Sequence, residues 1–138
     1  MIVFETVLTA LAATTMMTVF SYVLSYIVKV NFKEPEHLSV MLKRIPIHDR
    51  VAGWAMHYFV GLLFVVAYFL MWKNGIEANT GSGLAIGAIS GLMAILVWHL
   101  TLRLHPHPPR IHRIPFYIQL VPAHIVFAIA ATWIYQVL

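Results

Sequence analysis

Cysteine is absent from the 138 residues, which removes disulfides, thiolate metal sites and cysteine nucleophiles and leaves no reading of redox compartment. Acid is scarce. Asp and Glu number five, and charged residues of both signs make up 10% of the chain. No Ser-His-Asp set, HExxH motif or phosphate loop can be assembled from the residues present, which argues against a hydrolase or transferase. Asp49 beside His48 is an acid–base pair only on paper, because adjacent residues at a helix start seldom face one another. What is plentiful is apolar surface, at 61% of residues. A soluble domain runs at about 45–50% apolar and about 25% charged. So small a chain cannot hide this much apolar area in its own core, and a bilayer must serve as its solvent.

Crossing the hydrocarbon takes roughly 20 mostly apolar helical residues. Four stretches qualify: about Thr6–Val28, Val51–Trp72, Gly83–Leu102 and Pro115–Val137. None contains Asp or Glu. The first lacks a basic leading segment and is preceded by Glu5, so it reads as a retained helix and not as a cleaved signal. Lys29, Lys33, Lys43, Arg44 and Arg50 lie between spans one and two, and Arg103, Arg110 and Arg113 between spans three and four. Only Lys73 falls on the other side. The positive-inside rule then puts both basic loops in the cytoplasm and both termini outside. The formal charge of +4 is therefore topology, with some attraction to anionic lipid headgroups; nucleic acid is not indicated. The expected fold is one all-α domain over residues 1–138, a polytopic four-helix bundle with N-out, C-out topology.

Residues 35–45 predict one further element. Pro35 and Glu36 suit a first helical turn, and Leu38, Met41, Leu42 and Ile45 follow at i, i+3, i+4 and i+7. That spacing describes a short amphipathic helix on the cytoplasmic membrane surface. Asp49 suits the N-cap of span two. Span three carries Gly83, Gly87 and Gly91 at spacing four, which lets another helix backbone come close, within the chain or from a second copy. Span one carries Thr14, Thr18, Ser21 and Ser25 on one face, which marks the side turned toward protein. "RIP" occurs at 44–46 and 113–115, each time before a helix that holds a histidine, a short echo of a parallel repeat.

Histidines inside the spans carry the functional question. At a rise of about 1.5 Å per residue, His57 lies roughly 9 Å and His124 roughly 13 Å in from the cytoplasmic ends of their spans, and His99 roughly 5 Å. All three share one half of the bilayer, as do Ser21 and Ser25. Gly53, Gly61 and Tyr68 share the face of His57 and are candidate pocket lining. Pro122 removes a backbone donor near His124. An ionisable group at this depth is a functional-site hypothesis. Three readings stay open: neutral imidazoles bonding across helices, a pair ligating haem b or a transition metal, and a pocket for protons or a small solute. The "RLHPHPPRIHR" stretch holds His105, His107 and His112, a weaker metal candidate, because its prolines keep it extended and its arginines oppose a cation.

The residues Gly53, Trp54, His57, Tyr58 and Gly61, with His124 and Ala128 in the last span, carry a resemblance. They resemble a group of uncharacterised bacterial inner-membrane proteins with four helices and a G-W-x-x-H-Y-x-x-G-like signature in the second. The likeness implies a multi-pass protein of the bacterial inner membrane, supplies no activity, and favours His57 and His124 over His99. The expected protein is non-enzymatic: an accessory subunit of a larger membrane complex, or a small oligomer of itself, with a histidine-bearing pocket on the cytoplasmic side. A b-type haem or metal protein and a small transporter of protons, cations or solutes are its alternatives.

Overall fold

The computed structural model describes residues 2–43 and 49–138. The chain forms five helices: α1 (Ile2–Val28), α2 (Glu34–Met41), α3 (Asp49–Lys73), α4 (Thr80–Leu104) and α5 (Arg113–Val137). No strand occurs among the described residues. Four helices are long and apolar enough to cross a membrane, and each contains one of the expected spans with a few residues added at its ends. The additions include Glu5, Asp49, Arg50, Lys73, Arg103 and Arg113, residues that suit helix termini at a membrane surface. Asp49 is the first helical residue of α3, where it complements the helix dipole as part of the first turn. The predicted Ile45 and the first "RIP" lie outside the described residues.

The bundle is built around α5, of whose apolar window half is buried against 28% for α3. α5 packs on α4 on one side and on α1 on the other, and α3 closes against α1. The α4–α5 contact runs through the three glycines. A Cβ at Gly87 would sit 2.6 Å from Ile125 Cα, one at Gly91 2.6 Å from Val121 Cα, and one at Gly83 2.9 Å from Thr132 Oγ1. The stripe thus serves packing inside the chain, where close backbones gain dispersion energy that lipid tails do not otherwise concede. α5 continues unbroken through Pro122.

The hydroxyl stripe of α1 turns inward as expected, with Thr14, Thr18, Ser21 and Ser25 all buried. A first core cluster joins Ala10, Ala13 and Met17 of α1 to Val65, Tyr68, Phe69 and Trp72 of α3 and to Phe127 and Ala131 of α5. The outer surface stays apolar, with Val19, Phe59, Ile89, Leu96 and Ile118 each more than half exposed; this is the surface that meets acyl chains. A capping box starts α4: Ser82 N–H donates to Asn79 Oδ1 at 2.9 Å, and Asn79 N–H to Ser82 Oγ at 3.1 Å.

α2 forms close to where the sequence puts it, but its best-buried residues are not the apolar stripe. Glu34, Pro35 and His37 are buried, whereas Leu38, Met41 and Leu42 are only partly covered. The reason lies in the segment before it. α1 ends at Lys29 with a left-handed φ of 60°, and the chain doubles back. Phe32 then inserts beside Ala94, Phe116 and Leu120 in a second core cluster, and its N–H donates to Ser25 Oγ at 2.9 Å. This inserted turn carries the first turn of α2 into the bundle.

Candidate functional site

Glu34 is the centre of the site. It is 3% exposed, and its Oε1 accepts from Gln119 Nε2 at 2.9 Å and from Ser21 Oγ at 3.0 Å. Three elements therefore meet at one carboxyl: α2, α1 and α5. The other oxygen, Oε2, is buried and has no hydrogen-bond partner among the described residues. Burial raises the Glu34 pKa from its ordinary value to about 7, against the hydrogen bonds from Gln119, its own backbone and Ser21.

His57 and His124 share a small cavity with it. The space is about 40 Å³ and is lined by Glu34, Met17, His57, Val60, Gly61, Phe64, His124 and Phe127. The hydrogen bonds fix the neutral tautomer of each ring. Thr18 Oγ donates to the Thr14 carbonyl at 2.7 Å, so its remaining contact, 2.9 Å to His57 Nε2, must be accepted from an Nε2–H. His57 Nδ1 is then left with a lone pair. His124 Nδ1 lies 2.8 Å from the Leu120 carbonyl, which can only accept, so Nδ1 carries the hydrogen and Nε2 the lone pair. Phe64 covers His124 edge-on, at a centroid distance of 5.5 Å. The arrangement brings one carboxyl and two imidazoles, from α2, α3 and α5, to the lining of a single small void.

The third imidazole is not part of it. His99 is exposed on α4, with its Nδ1 3.3 Å from Tyr117 OH. Its shared depth with His57 and His124 does not bring it to them, because His99 sits away from the α4 face that the glycines press onto α5. Tyr68 also points elsewhere, bonding Ser90 Oγ at 2.7 Å. Gly53 lies against the Pro35 carbonyl and Ser39, so its role is to let α2 dock on α3. Gly61 does line the cavity, facing Thr14. Ser21 holds Glu34, and Ser25 holds the inserted turn.

The proline-rich stretch is structural where it can be followed. His105 Nε2 donates to the Met41 carbonyl (3.0 Å) and His105 Nδ1 accepts the His107 N–H (3.1 Å). Both ring nitrogens are engaged, so His105 has no lone pair left for a metal. His107 and His112 are exposed. Among the described residues no three His, Asp or Glu side chains are grouped to hold a metal ion. Haem does not fit the cavity either, since pockets for ligands of drug size run to about 300–1,000 Å³.

Sequence reasoning passed over Glu34, Gln119 and His37. His37 donates from Nε2 to the Asn31 carbonyl at 3.1 Å and packs edge-on against Phe116 at 5.4 Å. Burial lowers its pKa, against the backbone hydrogen bond to Asn31 and the charge of Glu36. Two signals were present: Gln119 as an amide within span four on the side of the basic loops, and Phe32 as a large apolar residue in a charged loop. Comparison with protein-family models, with curated proteins and with solved structures finds no match.

Proposed function

We propose that this chain is a non-enzymatic integral protein of the bacterial inner membrane, with its basic loops in the cytoplasm. In this reading it binds and releases a proton at Glu34 as the coupling step of cation or small-solute movement. One observation carries it: a buried carboxyl with one unpartnered oxygen, in a residue that lines a small cavity together with two histidines. A void of about 40 Å³ suits a single water, whose share of liquid volume is about 30 Å³. Such a water, accepting from Glu34 when protonated and donating to His57 Nδ1 or His124 Nε2, would move a proton among the three groups.

Beyond the cavity, toward the opposite end of the bundle, lies the packed cluster of Val65, Tyr68, Phe69, Trp72 and Phe127. On the basic side Glu34 lies in the first turn of the short α2. Exchange of the carboxyl proton with the cytoplasm therefore asks for a shift of a short element, whereas passage to the far side asks the long helices to part.

Infrared difference spectroscopy of the protein in lipid tests the site. A protonated-carboxyl band should titrate near neutral pH in the wild type and vanish in Glu34→Gln. Proton flux into dye-loaded proteoliposomes tests the coupling. Absence of the titrating band would overturn the proton site, and flux identical in wild type and Glu34→Gln would overturn its use in transport.

A further inference from the structure

We propose that the groove between α1 and α3 at the basic end is a binding site for one anionic phospholipid. The site is separate from the Glu34 cavity and does not depend on the proton reading.

Three concavities run into one another along this face. The first, about 420 Å³, lies at the end of α1 between Tyr22, Ser25, Tyr26, Lys29 and Lys33. The second, about 240 Å³, shares Tyr22 and continues along Thr15, Val19, Val23, Trp54 and Tyr58. The third, about 390 Å³, shares Trp54 and Tyr58 and ends at Arg50 and Val51. One wall is apolar and aromatic; the mouth is cationic.

The chemistry is ordered along the groove as a phospholipid is ordered. Lys29, Lys33 and Arg50 stand where the phosphate would sit. Lys29 Nζ lies 4.4 Å over the Tyr26 ring and Lys33 Nζ 5.2 Å over the Tyr22 ring, so each ammonium is held at the rim. Lys33 also contacts Glu36 at 3.5 Å, an exposed pair of the kind that contributes little and that a phosphate can displace. One helical turn below Arg50, Trp54 lines the second and third concavities, and its indole N–H is a donor of the kind that suits an ester carbonyl. Tyr22, Trp54 and Tyr58 pack as a continuous aromatic strip, with centroids 6.1 and 6.2 Å apart. Tyr58 is pinned at 2.8 Å to Thr15 Oγ, which itself donates to the Leu11 carbonyl. Below the strip, Val19 and Val23 are more than half exposed and offer an acyl chain its path. The charge at the mouth selects an anionic headgroup over a zwitterionic one, through the attraction that each basic residue near a membrane surface adds.

Native mass spectrometry of the full chain in detergent, with phosphatidylglycerol or phosphatidylcholine added at equal concentration, tests the site. Retention of a single phosphatidylglycerol should exceed that of phosphatidylcholine by about a hundredfold, the order expected from three basic residues. K29Q/K33Q/R50Q should bring the two lipids level, while R103Q/R110Q/R113Q should leave the preference intact. Equal retention of both lipids by the wild type, or equal loss in the two triple variants, would overturn the proposal. A second measurement uses phosphatidylglycerol with brominated chains, which should quench the fluorescence contributed by Trp54. If Trp54→Phe removes no part of the quenching, the groove is not the site.

Discussion

Glu34 Oε1 lies 2.9 Å from Gln119 Nε2, a bond between residues 85 positions apart that ties the re-entering segment to the central helix. The bond places a carboxyl inside a bundle whose four apolar spans contain none. Burial in this setting raises the Glu34 pKa to about 7.

Stability should therefore depend on pH through Glu34. Its folded pKa, about 7, stands above its ordinary 4.5. A raised pKa contributes stability that is full below pH 4.5 and is lost as pH rises through about 7. At most a few kcal/mol is involved, at about 1.4 kcal/mol per pH unit. Thermal unfolding in detergent should show the wild type weakening between pH 5 and pH 8 by more than Glu34→Gln. Parallel pH profiles would contradict the assignment.

Thr18→Val should disturb His57 and leave His124 untouched. The hydroxyl is the acceptor for His57 Nε2–H, and a buried donor left without a partner costs about 1–3 kcal/mol. Nitrogen-15 NMR of the imidazoles should show Nε2–H for His57 and Nδ1–H for His124 in the wild type. In Thr18→Val only the His57 signals should move. The opposite tautomers in the wild type would refute the bonding pattern.

Gly87→Val should separate α4 from α5. A Cβ there would lie 2.6 Å from Ile125 Cα and 2.9 Å from the His124 carbonyl, and backbone cannot swing aside as a side chain can. A loss of about 1–3 kcal/mol or more is expected, read as a lowered unfolding temperature. Leu84→Val, on the exposed side of the same helix, is the control and should change little.

His105→Ala should loosen the end of α2 with no effect on the carboxyl site. The ring bridges the Met41 carbonyl and the His107 N–H, so its loss frees the attachment between two loops. Amide hydrogen exchange should rise around residues 105–107, while the Glu34 titration stays in place. Unchanged exchange would show that the bridge contributes nothing.

How far the site was legible can be told residue by residue. Depth along the helices, at a fixed rise per residue, was enough to put His57 and His124 on one level, and the cavity joins them. Depth alone could not exclude His99, because rotation about the helix axis is decided by the neighbour that each face meets. Glu34 was illegible for a different reason. In "NFKEPEH" it stands among charges and a helix-starting proline, the pattern of a solvated loop.

The amino-acid sequence by itself determined the four spans, the hydroxyl face of α1 and the glycine face of α4, since these follow from apolar run length and helical period. Tertiary structure alone decided that the turn after α1 folds inward. Phe32 finds a site between α4 and α5, and Ser21 and Gln119, distant in the chain, supply the two hydrogen bonds without which a carboxyl would not stay buried. Local patterns encode which face of a helix is apolar; they do not encode which distant polar groups will meet, and it is the burial permitted by that meeting that raises the pKa of Glu34.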